Sequence, residues 1–165
     1  MVFVAAGVLA PTAASAGAAD ELAGLFIQGC LPFAGNAPAL RDWAKRTRIP
    51  AVPEQARAAF LHGAPGQAFD ASAAEAKLVL VSSDDGLCSV VTDRATRQAV
   101  TDALEAGFHQ AGLNFRLVIE RDDPRVGAIH DREYLAAKDG RGWRVLAATV
   151  KGEKGGEAML TGAPE

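Results

Sequence analysis

The chain lacks an excess of positive charge. Lysine and arginine together number 17 and aspartate and glutamate 20, which gives a formal net charge of −3 over 165 residues. Proteins dedicated to nucleic acids usually carry the opposite sign or a dense basic stripe. We therefore expect no nucleic-acid partner.

Long apolar runs are also missing beyond the N-terminus. A helix that crosses a bilayer needs roughly 20 consecutive apolar residues, and no such run occurs there. With 49% hydrophobic and 22% charged residues, the composition is that of a folded domain and not of a disordered or collagen-like chain. The length predicts a single domain.

The N-terminus has the features of an export signal. Residues 2–10 are almost wholly apolar, and two A-x-A patterns of small residues follow at 14–16 and 16–18. Signal peptidase cleaves after such small residues. We predict that residues 1–18 are a cleaved signal peptide and that residues 20–165 form one periplasmic or secreted domain, with no stable membrane span after cleavage.

One usual element of a signal is missing, because no lysine or arginine precedes the apolar run. Several alternatives therefore stay open: an internal start site, a buried N-terminal helix or an uncleaved anchor. Residues 27–30 also resemble a lipobox that ends in an acylated cysteine, Cys30. Gln28 is polar, however, where a lipobox needs a small or apolar residue.

Cysteine is scarce, and its two copies are Cys30 and Cys88. In an oxidising compartment, two cysteines in a small domain most simply form a disulfide. The bond would close a long loop and stabilise the fold by about 4 kcal/mol. Two buried thiols, as expected in a cytosolic protein, are the alternative.

Motifs for metal ions are absent. The three histidines are scattered, and neither C-x-x-C nor H-x-x-x-H occurs. The acidic pairs Asp84 with Asp85 and Asp122 with Asp123 lack the spacing of a calcium loop. Aspartate is also common in turns, because its side chain hydrogen-bonds to the nearby backbone. We predict no metal and no cofactor.

Caps and apolar spacing predict four helices. Asp20 caps the first, over residues 20–31, and Asn36 caps the second. The third begins at residues 53–54, and the longest, capped by Thr92 or Asp93, runs from about 94 to 111. Its apolar stripe consists of Val100, Leu104 and Phe108.

Strands are predicted mainly in the second half. Residues 77–82 and 87–91 form a hairpin around the Asp85-Gly86 turn. Three further strands follow the long helix, at 115–120, 128–137 and 142–150, and residues 157–160 could add a short edge strand. The fold class is α+β, with N-terminal helices packed on an antiparallel sheet in the order α-α-α-ββ-α-βββ.

Two fragments carry a resemblance to other proteins. Phe26-x-x-x-Cys30-Leu31 lies on the first predicted helix, and Gly86-Leu87-Cys88-Ser89-Val90 covers the second predicted strand. Together they resemble small exported bacterial proteins of unknown function that combine an aromatic-x-x-x-Cys-Leu helix with a later G-x-C-S-V strand. The resemblance covers about residues 26–91. It implies a secreted domain with one disulfide and supplies no catalytic residues.

A cysteine hydrolase is the sharpest enzyme hypothesis. Residues 85–89 share a faint likeness with the D-C-S nucleophile of papain-like cell-wall peptidases, and His130 with Asp131 could serve as base and orienter. In those enzymes the cysteine opens a helix, whereas the β-branched residues after Cys88 are typical of a strand. We predict no catalytic residue.

One basic cluster is a candidate interaction surface. It consists of Arg41, Lys45, Arg46 and Arg48, of which Arg41 and Lys45 share a helix face. The cluster predicts a partner-binding face for anionic envelope material or an acidic partner. Its alternative is a solvated helix end, where cations suit the helix dipole.

These patterns together favour an exported binding or accessory protein, stapled by one disulfide, whose partner is an envelope protein or a small ligand. A Cys-dependent hydrolase of the cell envelope and a structural subunit of an envelope complex remain the alternatives.

Overall fold

The computed structural model describes residues 13–74, 76–151 and 156–165. Four α-helices are described, namely α1 (Ala13–Leu25), α2 (Ala37–Arg46), α3 (Glu54–Leu61) and α4 (Arg97–Gln110). A π-helical turn, Phe26–Cys30, and a 3-10 turn, Leu31–Phe33, continue directly from α1. None of the described helices is long and apolar enough to cross a membrane.

Seven strands complete the described fold. They are β1 (Gly66–Asp70), β2 (Leu78–Ser83), β3 (Cys88–Ala95), β4 (Asn114–Asp122), β5 (Ile129–Lys138), β6 (Arg141–Val150) and β7 (Gly156–Pro164). All neighbouring pairs are antiparallel, and the spatial order is β1-β2-β3-β7-β6-β5-β4. The α+β class with an antiparallel sheet is thus confirmed.

The predicted order α-α-α-ββ-α-βββ is wrong in two places, because three strands precede α4 and four follow it. Strand β1, Gly66–Asp70, lies in a stretch for which no strand is predicted from the sequence. Strand β7 is longer than the short edge strand considered for residues 157–160, and it lies in the middle of the sheet. It pairs with β3 on one side and β6 on the other, so it joins the two halves of the sheet.

Helices α1 and α4 cover one face of the sheet and form the main core with it. Helix α1 packs on α4 and β3, and α4 also contacts β4 and β6. Gly107 lets α4 come close to the π-helical turn, because a Cβ there would lie 2.4 Å from Cδ1 of Ile27. The predicted stripe of α4 is confirmed, since its three apolar members are all buried: Val100, Leu104 and Phe108.

Two helix starts differ from the prediction, while one cap is confirmed. Helix α1 already includes Ala13, the first described residue, so Asp20 lies within the helix and does not cap it. Strand β3 continues to Ala95, and Thr96 rather than Thr92 or Asp93 caps α4, by accepting the N–H of Ala99 at 3.3 Å. The Asn36 cap of α2 is as expected.

The predicted signal peptide, residues 1–18, falls largely outside the described residues. Its described end belongs to α1, in which Ala18 and the following Ala19 are buried in the main core. Cleavage of this segment stays a prediction.

The predicted disulfide is confirmed. Cys30 and Cys88 are bonded, with their Cα atoms 5.6 Å apart at a sequence separation of 58. Both are buried, at 0% and 1% exposure. The bond fixes the π-helical turn after α1 to the first residue of β3, so it joins the helical layer to the middle of the sheet.

Removal of the disulfide tests how much of the stability it carries. We expect the double variant Cys30→Ala with Cys88→Ala to lose about 4 kcal/mol of unfolding free energy, because the unfolded chain regains the entropy of a long loop. Urea unfolding measures the loss, and reduced wild-type protein serves as the matched control. A loss below about 1 kcal/mol would show that the loop constraint contributes little.

Candidate functional site

A groove lies on the sheet face opposite α1 and α4, which we call the open face. Helix α3 packs on β1 and β2 at one side of this face. Between α3 and β6 the face is uncovered and forms a cavity of about 970 Å³. Its size is at the upper end of the range for small-molecule sites.

The floor of the groove consists of two transverse rows of side chains. The strand register aligns the first row across four strands and the second across three. Side chains two apart on a strand share a face, so both rows point into the groove. The first row is Val81, Ser89, Thr161 and Leu146, and the second is Val79, Val91 and Met159.

The apolar members of the floor are mostly half-buried, in contrast to the buried residues behind them. On β2, Leu78 and Leu80 belong to the main core, whereas Val79 and Val81 belong to a smaller cluster with Leu61 of α3. The half-buried members of these rows are apolar surface in partial contact with solvent. Such surface on a concave wall is typical of a binding site.

One polar pair interrupts the apolar floor. The hydroxyls of Ser89 and Thr161 lie 2.8 Å apart and hydrogen-bond to each other across β3 and β7. One hydroxyl hydrogen satisfies this bond, and the other remains able to donate. The pair therefore offers a ligand oxygen one donor in the middle of the floor.

The groove has a wall on each side. On one side stands α3 with Ala56 and Phe60 facing the cavity. On the other side, beyond Leu146, an ion pair between Arg144 and Glu133 joins β6 and β5. An ion pair thus borders the groove beyond Leu146.

The predicted basic face is only partly assembled. Arg41 turns towards the sheet, where its guanidinium donates to the carbonyl oxygen of Ser82 at 3.0 Å and pairs with Asp84. It therefore clamps α2 onto the β2–β3 hairpin. The other three members are exposed, namely Lys45, Arg46 and Arg48, and their role as a partner-binding face stays a prediction.

The candidate nucleophile and base of the cysteine hydrolase hypothesis lie on different strands, Cys88 on β3 and His130 on β5. Cys88 is bonded to Cys30, so it has no thiol to act as a nucleophile. His130 is bound instead by carboxylates, with Nδ1 2.9 Å from Asp122 and Nε2 3.3 Å from Glu120. His130 is not among the residues that line the groove.

A polar network around His130 and Arg132 joins α4 to the end of the sheet. Arg132 donates to Glu120 at 3.0 Å, to Glu105 of α4 at 3.1 Å and to the hydroxyl of Tyr134 at 2.9 Å. Tyr134 in turn donates to Glu105 at 2.8 Å, and burial together with this carboxylate raises the pKa of Tyr134. The polar groups of the network hydrogen-bond to one another. We therefore assign the network a structural role, which is to hold α4 against the sheet.

The acidic pairs serve turns and ion pairs. Asp85 accepts the N–H of Leu87, and Asp123 accepts the N–H groups of Arg125 and Val126. Their interpretation as turn-forming residues is therefore supported. Within the described ranges, no three His, Cys, Asp or Glu side chains are grouped closely enough to hold a metal ion.

The groove itself escaped prediction from the sequence, although one signal pointed to it. Residues 78–81 are apolar without alternation, which predicts a strand with both faces in apolar surroundings. Only one of these faces is covered by α1 and α4, and the other forms the floor of the groove.

Interactions in the structure lower the pKa of Asp122 and so favour its charged form. Its carboxylate accepts a hydrogen bond from Lys151 at 2.7 Å and contacts His130. These two bonds, with Lys151 first, lower the pKa of Asp122 from 3.8 to about 2. The shift stabilises the fold above pH 3.8, and this contribution is lost as the pH falls towards about 2.

Asp122→Asn should therefore flatten the acid dependence of stability. Between pH 3.8 and about 2, we expect its unfolding free energy to fall less steeply than that of the wild type, as measured by urea unfolding at a series of pH values. Lys151→Met should give an intermediate slope, because His130 still lowers the pKa of Asp122. Equal slopes in Asp122→Asn and the wild type would contradict this assignment.

Comparisons with protein-family models, curated proteins and solved structures find no match to this chain. The functional argument therefore depends on the groove and on the residues that form it.

Proposed function

We propose that this protein is an exported binding protein that holds a small, mostly apolar ligand in the groove of the open face. The observation that carries the proposal is the groove itself, a concave surface of about 970 Å³ with Val79, Val91 and Met159 on its floor. Binding would remove these half-buried side chains from water, which is the main favourable term for such a site.

Export is supported by two features. The N-terminal sequence has the apolar run and the A-x-A patterns of a signal peptide. The Cys30–Cys88 bond is of the kind that persists in oxidising compartments such as the periplasm or the extracellular space. Secretion of the wild-type protein with loss of residues 1–18 would support this part of the proposal.

Among the alternatives, the binding protein agrees best with the geometry. A Cys-dependent hydrolase needs a thiolate, and Cys88 is bonded to Cys30. A structural subunit of an envelope complex would instead cover the open face permanently with a partner. The concave shape of the groove fits a small ligand.

Binding of an uncharged solvatochromic dye tests the proposal. We expect Nile red to bind the purified wild-type domain with a blue shift of its emission. Met159→Lys should weaken binding several-fold, because an ammonium group on the floor loses hydration when the dye covers it. The matched control is Val126→Lys, since Val126 is 50% exposed in the β4–β5 connection and lies outside the groove.

Two results would contradict the proposal. One is the absence of any dye binding to the wild type, and the other is equal weakening in both lysine variants. Size-exclusion chromatography of the same samples shows whether a second copy of the chain covers the open face instead.

A further inference from the structure

The groove is not uniform along its length, because one end carries charged residues. Lys77 and Glu157 each lie two positions from a member of the Val79–Val91–Met159 row. Asp93 lies at an irregularity of β3, where the register with β7 shifts between Thr92 and Ala95. Asp70 of β1 is paired with Val79 and lies beside this band. All four residues line the groove.

The charges of this band do not balance. Among the described residues it contains the carboxylates of Asp70, Asp93 and Glu157 against the ammonium of Lys77, and Arg94 beside Asp93 reduces the excess to one negative charge. Asp70 accepts the N–H of Ser72 at 3.1 Å, and bonds to Ser72 lower the pKa of Asp70 and keep it ionised. Asp93 lies 3.8 Å from Arg94, in a pair whose side chains are 58% and 63% exposed.

The opposite end of the groove is different in character. There the lining comes from Ser83 and Leu87, at the β2–β3 turn, and from His62 after α3. Between Lys77 and Ser83 the chain advances six residues, which corresponds to about 20 Å along the strand direction. The groove therefore has an apolar length, and the Asp, Glu and Lys residues that line it, among those the structure describes, lie at one end.

We propose that the ligand of the groove is a cationic amphiphile, with an aliphatic body along Val79, Val91 and Met159 and a protonated amine at Asp93 and Glu157. This inference rests on the proposed binding function. Two independent observations carry it, the apolar cavity for the body and the charge excess for the head group. Low-dielectric walls focus the field of such charges and so strengthen their attraction for a cation.

Three chain-matched probes test the head group. We expect decylammonium to bind the full-length protein about tenfold more tightly than decanol, which corresponds to ~1.4 kcal/mol, and we expect decanoate to bind most weakly. Isothermal titration calorimetry gives the affinities, below the micelle concentration of decylammonium and decanoate and below the solubility limit of decanol. Added salt should narrow the gap between decylammonium and decanol, because it screens exposed charges.

Variants test whether the charged residues at this end of the groove cause the preference for decylammonium over decanol. Asp93→Asn and Glu157→Gln should each weaken decylammonium binding several-fold and leave decanol binding unchanged, while Lys77→Gln should strengthen decylammonium binding. The matched control is Asp102→Asn, which removes one negative charge from α4 on the other side of the sheet. It should leave the affinity for both probes unchanged.

The outcomes separate this inference from the function on which it rests. If decanol and decylammonium bind equally, or decanoate binds most tightly, the cationic head group is wrong and the apolar groove stands. A decylammonium affinity that falls equally in Asp102→Asn and Glu157→Gln also overturns the inference, because net charge alone would then explain it. If none of the three probes binds, the proposed function itself fails.

Discussion

The pleat of the sheet is the constraint on which the rest of this protein depends. Successive side chains of a strand point to opposite faces, and β2 carries apolar side chains on both. Helices α1 and α4 bury one face, whereas α3, with eight residues, covers only the side of the other face at β1 and β2. Apolar surface that stays in water costs free energy in proportion to its area, so the half-buried floor at Val79, Val91 and Met159 favours an apolar ligand.

Contacts on the covered face stabilise the strands that form the open face. The Cys30–Cys88 bond fixes the end of the α1 segment to β3, and β7 then continues the sheet from β3 to β6. Ser89 and Thr161 tie the same two strands together on the groove side. The floor is therefore built on the strands that have paired neighbours on both sides, which suits a site that must keep its form while its ligand enters and leaves.

Local signals predicted local structure well. An even cysteine count indicated the disulfide, Asn36 the start of α2, and the spacing of Val100, Leu104 and Phe108 the buried stripe of α4. The sheet order could not be predicted in this way, because the position of β7 between β3 and β6 depends on pairings between residues distant in the sequence. The groove escaped prediction for the same reason, since its two rows exist only once the register of β2, β3, β7 and β6 is set. Strand β1 was missed because Pro65 and Gly66 indicate a loop.

The central claim is that one face of the sheet forms the stabilising core with α1 and α4, whereas the open face forms the binding groove. Methyl NMR of the domain titrated with decanol tests it most directly, because methyl groups report on both faces at once. The account predicts shift changes at Val79, Val91 and Met159 and none at Val100, Leu104 and Val145, which belong to the main core. Shift changes confined to the second group, or spread evenly over both, would contradict it.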